Sequence, residues 1–494
     1  MILLDGAHLT LEDVAAVADG GDVEVAPAGR ERVEKAAAAV ARVALTREVY
    51  GRTTGVGANR DRPLPPTQVI RAAGRDQRPG LGLLRSHAGG WGTTYDERVV
   101  RAGLVVRVNQ LLVGASGAST GLVDALVGLL AEESGGQAVV HSVGAVGTGD
   151  LTALAEVGLT LLGERPRADG QVRATPNLAR LSRLHDHDAL PLMSSNAFTL
   201  GRAALGCLEL ERLSRRAMTV YALSHVALAG NVEALGAVVG RVTPFVGAAR
   251  TAQTVTGLLG PDPVVPATQL QDFFGLRTYP QVHGPLLDQL AVLRSVVETL
   301  ANAGSENPAV DATTDPPTVA HHGGFHTAYL TLAVDATLLA LARSAASGLP
   351  RISHLLTDPG AGLPRFLAGV DAGASGLLIA EYAAAAGVER LRGVAAAPSS
   401  LGTAYLSAAV EDDASHSSAA AGRLTAVADD YRHLLAWELL TAVHAVRLRR
   451  VTLRGPLRQV LDACEGIVVD ESDHDPGPDL TAALTVVDGL DEPA

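Results

Sequence analysis

The stretch His141-Ser-Val-Gly-Ala-Val-Gly-Thr-Gly-Asp150 is followed at once by an apolar run from Leu151 to Leu162. Its glycines, Gly144, Gly147 and Gly149, allow positive φ and close approach of other atoms to the backbone. The threonine and aspartate next to the last glycine are residue types that cap exposed helical amides. The pattern therefore predicts a tight loop that leads into the N-terminus of a helix. The glycine spacing is not G-x-G-x-x-G, and no G-x-x-x-x-G-K occurs, which argues against a nucleotide phosphate loop.

Outward from this loop, the composition predicts a large, mostly helical protein. The chain has 494 residues, 47% of them hydrophobic and only 3% aromatic, which is enough apolar material for a sizeable core. The net charge of −13 argues against nucleic acid as a partner. Cys207 and Cys464 lie far apart in apolar contexts, which favours buried thiols in a reducing compartment. No basic leader and no uninterrupted apolar run of membrane-spanning length is evident. We therefore expect a soluble, cytoplasmic protein without a membrane partner.

Apolar residues recur at helical spacing in several segments. The periodicity predicts helices within 95–132, over 285–303 and from Ala328 to about Ala346. We expect three parts: an N-terminal part over 1–190, helices over 191–465, and an acidic tail over 466–494. The tail is interpreted as mobile because it offers few packing residues.

Several polar residues are candidates for chemistry from their local context. Tyr50 lies at the entrance of a glycine-rich loop, where it is either a packing residue or a catalytic base. A tyrosine acts as a base only if its pKa falls well below the ordinary value of about 10. Asn196 stands at the start of a predicted helix, where an asparagine is usually a cap. His321 and His322 invite a metal hypothesis, but they are adjacent and lack a Cys or H-E-x-x-H partner. We predict no metal.

The loop Gly-Ala-Val-Gly-Thr-Gly-Asp-Leu resembles the signature of the histidine and aromatic amino acid ammonia-lyase and aminomutase family. In that family an Ala-Ser-Gly triad before Asp-Leu cyclises into the electrophile 4-methylidene-imidazol-5-one. With Asp150-Leu151 fixing the register, the triad here is Gly147-Thr148-Gly149. Threonine therefore stands at the serine position. Dehydration of threonine would give an ethylidene group, whose extra methyl shields the carbon to be attacked.

Other motifs carry the same resemblance in the N-terminal half. Tyr50-Gly-Arg-Thr-Thr-Gly-Val-Gly resembles the family's Tyr-Gly-x-x-Thr-Gly-x-Gly, whose tyrosine is the catalytic base. His87 follows Ser86, a pairing found in histidine-specific members at the position that selects the substrate side chain. Asn196 corresponds to an asparagine that positions the prosthetic group and the substrate. For Arg107, in a matching helix, we expect a buried structural pair.

In the second half, Gln271-Asp-Phe-Phe-Gly-Leu-Arg277 resembles the family's Gln-Asp-x-Tyr-Ser-x-Arg. Arg277 then corresponds to the arginine that grips the substrate carboxylate, and bidentate geometry suits it to that task. Phe274 replaces a second catalytic tyrosine and cannot transfer a proton. The resemblance also implies substrate contacts for Phe325 and for Glu411, the latter reading an imidazole. For an acidic triplet such as the one at Glu411, a solvated face is the alternative.

The resemblance spans roughly residues 40–460 in the correct motif order. It implies a mostly α fold with a long central helical bundle, assembled as a homotetramer with composite active sites. The expected function is ammonia-lyase-like action on a histidine-like amino acid, with Tyr50 as base and Arg277 as carboxylate clamp. The first alternative is an enzyme without the prosthetic group that eliminates, cyclises or adds to an activated substrate in specialised metabolism. The second is an inactive paralogue that serves as a binding subunit. We expect no external cofactor, and an active electrophile from Gly147-Thr148-Gly149 is not the favoured expectation.

Overall fold

The computed structural model describes residues 1–64, 79–174, 187–261, 265–357, 362–369, 373–469 and 473–490. By its internal contacts the chain divides into two compact units. Unit 1 comprises residues 1–208, 294–333 and 398–422, and unit 2 comprises 209–293, 334–397 and 423–494. Both units are mostly helical.

Unit 1 contains short strands between its helices. In chain order its elements are β1 (Ile2–Leu4), α1 (Leu11–Ala18), β2 (Val23–Val25), α2 (Pro27–Val43), α3 (Pro79–His87), β3 (Trp91–Thr94), α4 (Glu97–Leu112), α5 (Thr120–Leu130), β4 (His141–Val143), α6 (Leu151–Leu161), α7 (Ala189–Met193), the start of α8 (Ala197–Ala227), the end of α12 (Tyr279–Ala301), β5 (Ala309–Asp311), β6 (Thr318–Ala320) and the starts of α13 (Ala328–Ala346) and α16 (Ser417–Leu448).

The described strands pair two by two. β1 runs parallel to β2 with Ile2 opposite Val23, and β5 runs antiparallel to β6 with Ala309 opposite Ala320. β3 and β4 are antiparallel, with Thr94 opposite His141 and an irregularity in the register. This last pair places the beginning of the glycine loop.

Local sequence explains where several helices begin. The Thr10 hydroxyl accepts the Asp13 amide before α1, and the Asp13 carboxylate accepts the Thr10 amide in return, which is a capping box. Asp96 and Ser119 cap α4 and α5 through their side-chain oxygens. Pro27 opens α2 at a position where no amide hydrogen is needed.

Within unit 1, α4 packs closely against the start of α8. A Cβ atom added at Gly103 would lie 2.8 Å from the Phe198 ring, and one added at Gly201 would lie 2.6 Å from the Ala102 carbonyl carbon. The two glycines therefore allow the helices to approach closely. Arg107 is completely buried on α4 and forms a 2.8 Å ion pair with Glu306, so the expected buried structural pair is confirmed.

Unit 2 continues these helices and adds shorter ones. Its further elements are α9 (Ala237–Val242), α10 (Val246–Leu259), α11 (Phe274–Arg277), α14 (Gly348–Thr357), α15 (Ile379–Ala395), α17 (Gly455–Ala463) and α18 (Gly477–Gly489). Apolar residues fill its core, among them Leu286, Leu290 and Leu293 of α12 and Leu439, Leu440 and Val443 of α16.

The predicted helices exist, with corrected boundaries. Residues 95–132 form two helices, α4 and α5, and the helix predicted over 285–303 begins already at Tyr279. The tail prediction needs a correction, because Gly477–Gly489 is helical and buries Ala483 and Val487. Residues 470–472 and 491–494 of that tail lie outside the described residues. Within the described part of the chain, the stretch Ala328–Thr357 is long and apolar enough to cross a membrane, but half of its most apolar window is buried within the protein.

Candidate active site

The glycine loop is anchored to α8 by Asp150. The Asp150 amide donates to the Ser195 carbonyl at 2.6 Å, and its carboxylate accepts the Thr199 amide at 2.8 Å and the Thr199 hydroxyl at 2.7 Å. Asp150 precedes α6, but its side chain makes no capping bond there, which corrects the idea that it caps the helix. Burial raises the pKa of this carboxyl to about 6, against the lowering effect of the Thr199 hydrogen bonds.

The carbonyl of Gly147 is held by two hydroxyls. The Ser415 Oγ donates to it at 3.1 Å, and the Thr327 Oγ1 donates at 3.3 Å. Gly147 has φ of +92°, and a Cβ atom added there would lie 2.0 Å from the Ser415 Oγ. Sequence reasoning did not assign a site role to Ser415 or Thr327, although Ser415 lies four residues after Glu411.

Thr148 faces the acidic motif. Its hydroxyl donates to the Glu411 Oε2 at 3.2 Å, and both residues are half-buried. Asp412 and Asp413 are exposed, so a solvated face describes these two residues and not Glu411. The structure thus brings together two residues that the sequence proposed for the site.

The Tyr50 hydroxyl is held by a backbone amide of unit 1. The Gly57 amide donates to that hydroxyl at 2.7 Å, and the next amide, of Ala58, donates to the Ser407 Oγ at 2.9 Å. Burial raises the pKa of Tyr50 above its ordinary value, the Gly57 hydrogen bond lowers it, and the negative charge of Glu411 raises it again. The net shift is upward. The lowered pKa that a resting tyrosinate needs is therefore not provided by the surroundings of Tyr50 in this structure.

The histidines at 321 and 322 have local structural partners. The Tyr50 amide donates to the His321 Nε2 at 3.2 Å. The His322 ring lies 2.7 Å from the Glu306 carbonyl through Nε2, and its Nδ1 accepts the Gly324 amide at 2.8 Å. Among the residues that the structure describes, no group of three or more His, Cys, Asp or Glu side chains is arranged to hold a metal.

The remaining candidates of unit 1 are Asn196, Phe325 and His87. The Asn196 side-chain amide donates to the Phe325 carbonyl at 2.9 Å, and its Oδ1 is buried without a hydrogen-bond partner in this structure. This asparagine therefore holds a neighbouring loop instead of capping α8. His87 ends α3, where its Nδ1 lies 3.0 Å from the Ser86 hydroxyl and 2.9 Å from the Leu83 carbonyl.

Unit 2 carries Gln271 and Arg277. The Arg277 Nε donates to the Asp272 carbonyl at 3.1 Å, and its guanidinium lies 4.7 Å from the centre of the Phe274 ring. Phe274 thus provides a cation–π platform for Arg277. Gln271 is exposed.

The residues of the loop do not fit the 4-methylidene group implied by the resemblance. The Cβ of Thr148 carries a methyl, so dehydration cannot leave a methylidene carbon. The alanine that the family places at Gly147 would bring its Cβ against the Ser415 hydroxyl. The Thr148 hydroxyl is hydrogen-bonded to Glu411 instead.

Comparison with known proteins agrees with the fold and with the family resemblance. A sequence profile described as aromatic amino acid lyase matches residues 9–465. A histidine ammonia-lyase from Chloroflexus aurantiacus is 34% identical over 478 residues, covering 92% of this chain and 89% of the relative. A probable histidine ammonia-lyase from Halobacterium salinarum is 34% identical over 446 residues, covering 85% and 82%.

The fold is also found among solved structures. A phenylalanine aminomutase from Pantoea agglomerans superposes with a TM-score of 0.89 at 23% identity, covering 99% of each chain. The mostly α bundle fold predicted from the sequence is confirmed. Fold and sequence together define a mostly helical carbon–nitrogen lyase. The chain belongs to the histidine and aromatic amino acid ammonia-lyase family.

Proposed function

We propose that the protein eliminates a nitrogen leaving group from an amino acid with a histidine-like side chain. In this reaction the Cβ–H bond and the Cα–N bond break, and a carbon–carbon double bond forms. The nitrogen departs with its bonding electron pair, and a protein base takes the proton. The 34% identity to histidine ammonia-lyases over most of the chain supports this reaction and this substrate class.

One observation carries the proposal: within unit 1, the Glu411 carboxylate accepts the Thr148 hydroxyl and its charge acts on Tyr50. The Thr148 hydroxyl occupies only Oε2 of Glu411, which leaves Oε1 to accept an imidazole N–H from the substrate. The charge of Glu411 acts on Tyr50, so the proposed base lies within electrostatic reach of the residue that reads the side chain. His87, Asn196 and Phe325 complete the proposed unit 1 set.

Tyr50 takes the β-proton, and Arg277 holds the substrate carboxylate. Because the pKa of Tyr50 is raised, its reactive phenolate form becomes populated only as the pH rises. Arginine suits the carboxylate because its N–H groups form a planar fork. The exposed Gln271 is the proposed companion of Arg277 in unit 2.

The loop favours a second candidate, in which the substrate brings its own activation. An ordinary amino group is a poor leaving group in an elimination, and the acidity of an ordinary β-proton is very low. Thr148 and the crowded Gly147 do not suit the electrophile that overcomes both obstacles. We therefore propose an uncyclised Gly147-Thr148-Gly149 and a substrate with a better leaving group or a more acidic proton.

The first experiment is intact-mass measurement with peptide mapping across residues 136–162. We expect the unmodified mass, and cyclisation with dehydration would instead remove two waters, roughly 36 Da. The same protein is assayed with L-histidine and with α-N-trimethylated histidine, whose nitrogen leaves as a neutral tertiary amine. Tyr50→Phe is the inactive control.

Turnover of the trimethylated compound alone supports the activated-substrate candidate. A two-water loss at the triad with turnover of L-histidine overturns it in favour of ordinary ammonia-lyase chemistry. If Tyr50→Phe retains turnover, Tyr50 leaves the mechanism. If an unmodified protein turns over neither compound but binds them, the inactive binding subunit becomes the better description.

We further propose a homotetramer, the closed symmetric assembly implied by family resemblance. Light scattering coupled to gel filtration measures it directly. A mass near four times 50.7 kDa is expected, and a monomer at assay concentration would contradict composite active sites.

A further inference from the structure

Unit 2 contains a buried polar cluster next to the segment that bears Arg277. Arg351 and Glu438 form a bidentate ion pair, with Nε–Oε1 at 2.6 Å and Nη2–Oε2 at 2.8 Å. The Ser224 hydroxyl donates to the same Oε1 at 2.9 Å. Arg351 is 3% exposed and Glu438 1%. A pair withdrawn from water to this degree is costly unless its remaining donors are also satisfied.

The remaining donors of the cluster reach the backbone of α11. The Arg351 Nη1 donates to the Gly275 carbonyl at 3.1 Å, and the Tyr221 hydroxyl donates to the Leu276 carbonyl at 2.9 Å. The last carbonyls of a helix lack partners within it, and α11 has only four residues. Side chains from other helices therefore fix this short turn.

Aromatic packing holds these donors in place. The rings of Tyr221 and Tyr279 stack with centroids 3.8 Å apart, and the Arg351 guanidinium lies 5.2 Å and 5.1 Å from their centres. Burial raises the pKa of Tyr221, so its hydroxyl remains a donor. Tyr431 is another buried tyrosine of unit 2.

The turn at Gly275 has no space for an added side-chain atom. A Cβ atom added at Gly275 would lie 2.7 Å from the Phe273 ring and 3.2 Å from Pro350. Arg277 follows two residues later and is half-exposed, resting on the Phe274 ring. Its Cα therefore lies one residue beyond the Leu276 carbonyl that accepts the Tyr221 hydroxyl.

We propose that Tyr221, Arg351 and Glu438 are positioning residues that set the direction of Arg277 through the carbonyls of Gly275 and Leu276. The inference rests on the proposed role of Arg277 as carboxylate clamp. The cluster contacts neither the substrate nor the reacting atoms in this scheme. It acts on the affinity for the carboxylate and not on the chemical step.

The test compares Tyr221→Phe with Tyr431→Phe, which removes another buried hydroxyl of unit 2. Phenylglyoxal labelling of Arg277, followed by peptide mass spectrometry, reports the accessibility of the guanidinium without any substrate. Losing one buried hydrogen bond corresponds to about fivefold, so we expect about that change in labelling rate for Tyr221→Phe and none for Tyr431→Phe. With the compound that wild type turns over, KM should rise by about the same factor at unchanged kcat.

Equal labelling rates in the two phenylalanine variants would overturn the proposal. Gly275→Ala is a second route, because its methyl would press on the Phe273 ring and on Pro350 and so displace the turn, and it should change labelling in the same way. Arg277→Lys separates the two claims. If its KM equals that of wild type while Tyr221→Phe alters labelling, the positioning stands and the clamp assignment fails.

Discussion

The Thr148 hydroxyl donates a 3.2 Å hydrogen bond to the Glu411 carboxylate across 263 positions of sequence. This bond joins the glycine loop to the acidic triplet at Glu411. It is made by Thr148, which stands where the family has serine, and this is the departure with the largest chemical consequence. The Thr148 side chain is thus hydrogen-bonded, and the first prediction concerns the loss of this bond.

Removing the Thr148 hydroxyl should slow turnover. Thr148→Val keeps the shape but loses the hydrogen bond to Glu411, and a bond to a charged group is worth about 1.5–3 kcal/mol, or roughly 10- to 100-fold in rate. Steady-state kinetics measure the effect. Thr160→Val is the matched control, since its hydroxyl donates to the Glu156 carbonyl within α6 at 2.9 Å. A Thr148→Val enzyme at the wild-type rate would remove this contact from the mechanism.

The pH dependence should follow the charges around Tyr50. A base with a raised pKa is protonated at neutral pH, so kcat/KM should climb with pH on the alkaline side. Glu411 raises this pKa and Arg60 lowers it. Glu411→Gln should therefore shift the rising limb to lower pH, and Arg60→Gln should shift it to higher pH. The midpoint of the limb is the measurement, whatever the maximal rate of each variant, and two shifts of the same sign would contradict the assignment.

Gly147→Ala should destabilise the protein through a steric clash as well as through backbone strain at positive φ. The added Cβ would meet the Ser415 Oγ at 2.0 Å, and overpacking of this kind costs about 1–3 kcal/mol. Gly170→Ala isolates the backbone effect, because Gly170 has φ of +76° with no atom within 4 Å of the added Cβ. Urea denaturation should show the larger loss for Gly147→Ala. Introducing Ser415→Ala into that variant should recover part of the loss, and equal losses for both glycines would argue against the crowded loop.

Acid should destabilise the fold through buried histidines, of which His283 is the clearest. Burial lowers the pKa of His283 to about 3, while its Nδ1 lies 2.8 Å from the Ser344 hydroxyl and its Nε2 3.0 Å from the Ser214 carbonyl. The unfolded chain binds this proton below about pH 6.5, whereas the folded chain does not. The free energy of unfolding should therefore fall by about 1.4 kcal/mol for each pH unit from about 6.5 downward.

The matching variant is His283→Gln, whose amide can still donate to Ser214 but does not titrate. Its free energy of unfolding should depend on pH with a slope lower by one proton over this range. His433→Gln changes an exposed histidine and serves as the control. The hypothesis fails if His283→Gln and wild type lose stability in parallel between pH 6 and 4.

Much of this protein was predictable because its information is local. Helical periodicity located α4, α12 and α13, and cap chemistry explains starts such as that of α4 at Asp96. The ordered motifs identified the family, since spacing survives where individual residues change. Boundaries were less predictable: α12 begins at Tyr279, before its apolar repeat starts, and Gly477–Gly489 is helical although it lies in the tail that was interpreted as mobile.

The site was only partly predictable, because its contacts join distant positions. Nothing local to Asp150 indicates that its carboxylate serves Thr199 instead of the helix it precedes. Thr327 and Ser415 acquire their role only when they meet at the Gly147 carbonyl. A pKa likewise depends on burial and on charges brought close by folding. The catalytic role expected for Tyr50 needs a lowered pKa, but burial in the folded protein raises it.

The sequence by itself determined the helical class, the family and the substitution of threonine in the triad, since residue identities and their spacing are written along the chain. Only the tertiary structure decided that Gly147 has no room for a side chain, that Thr148 bonds to Glu411, and that a buried cluster holds the turn before Arg277. The physical reason is that steric exclusion, hydrogen bonding and desolvation depend on distances between atoms. Those distances exist only once residues remote in sequence have packed together.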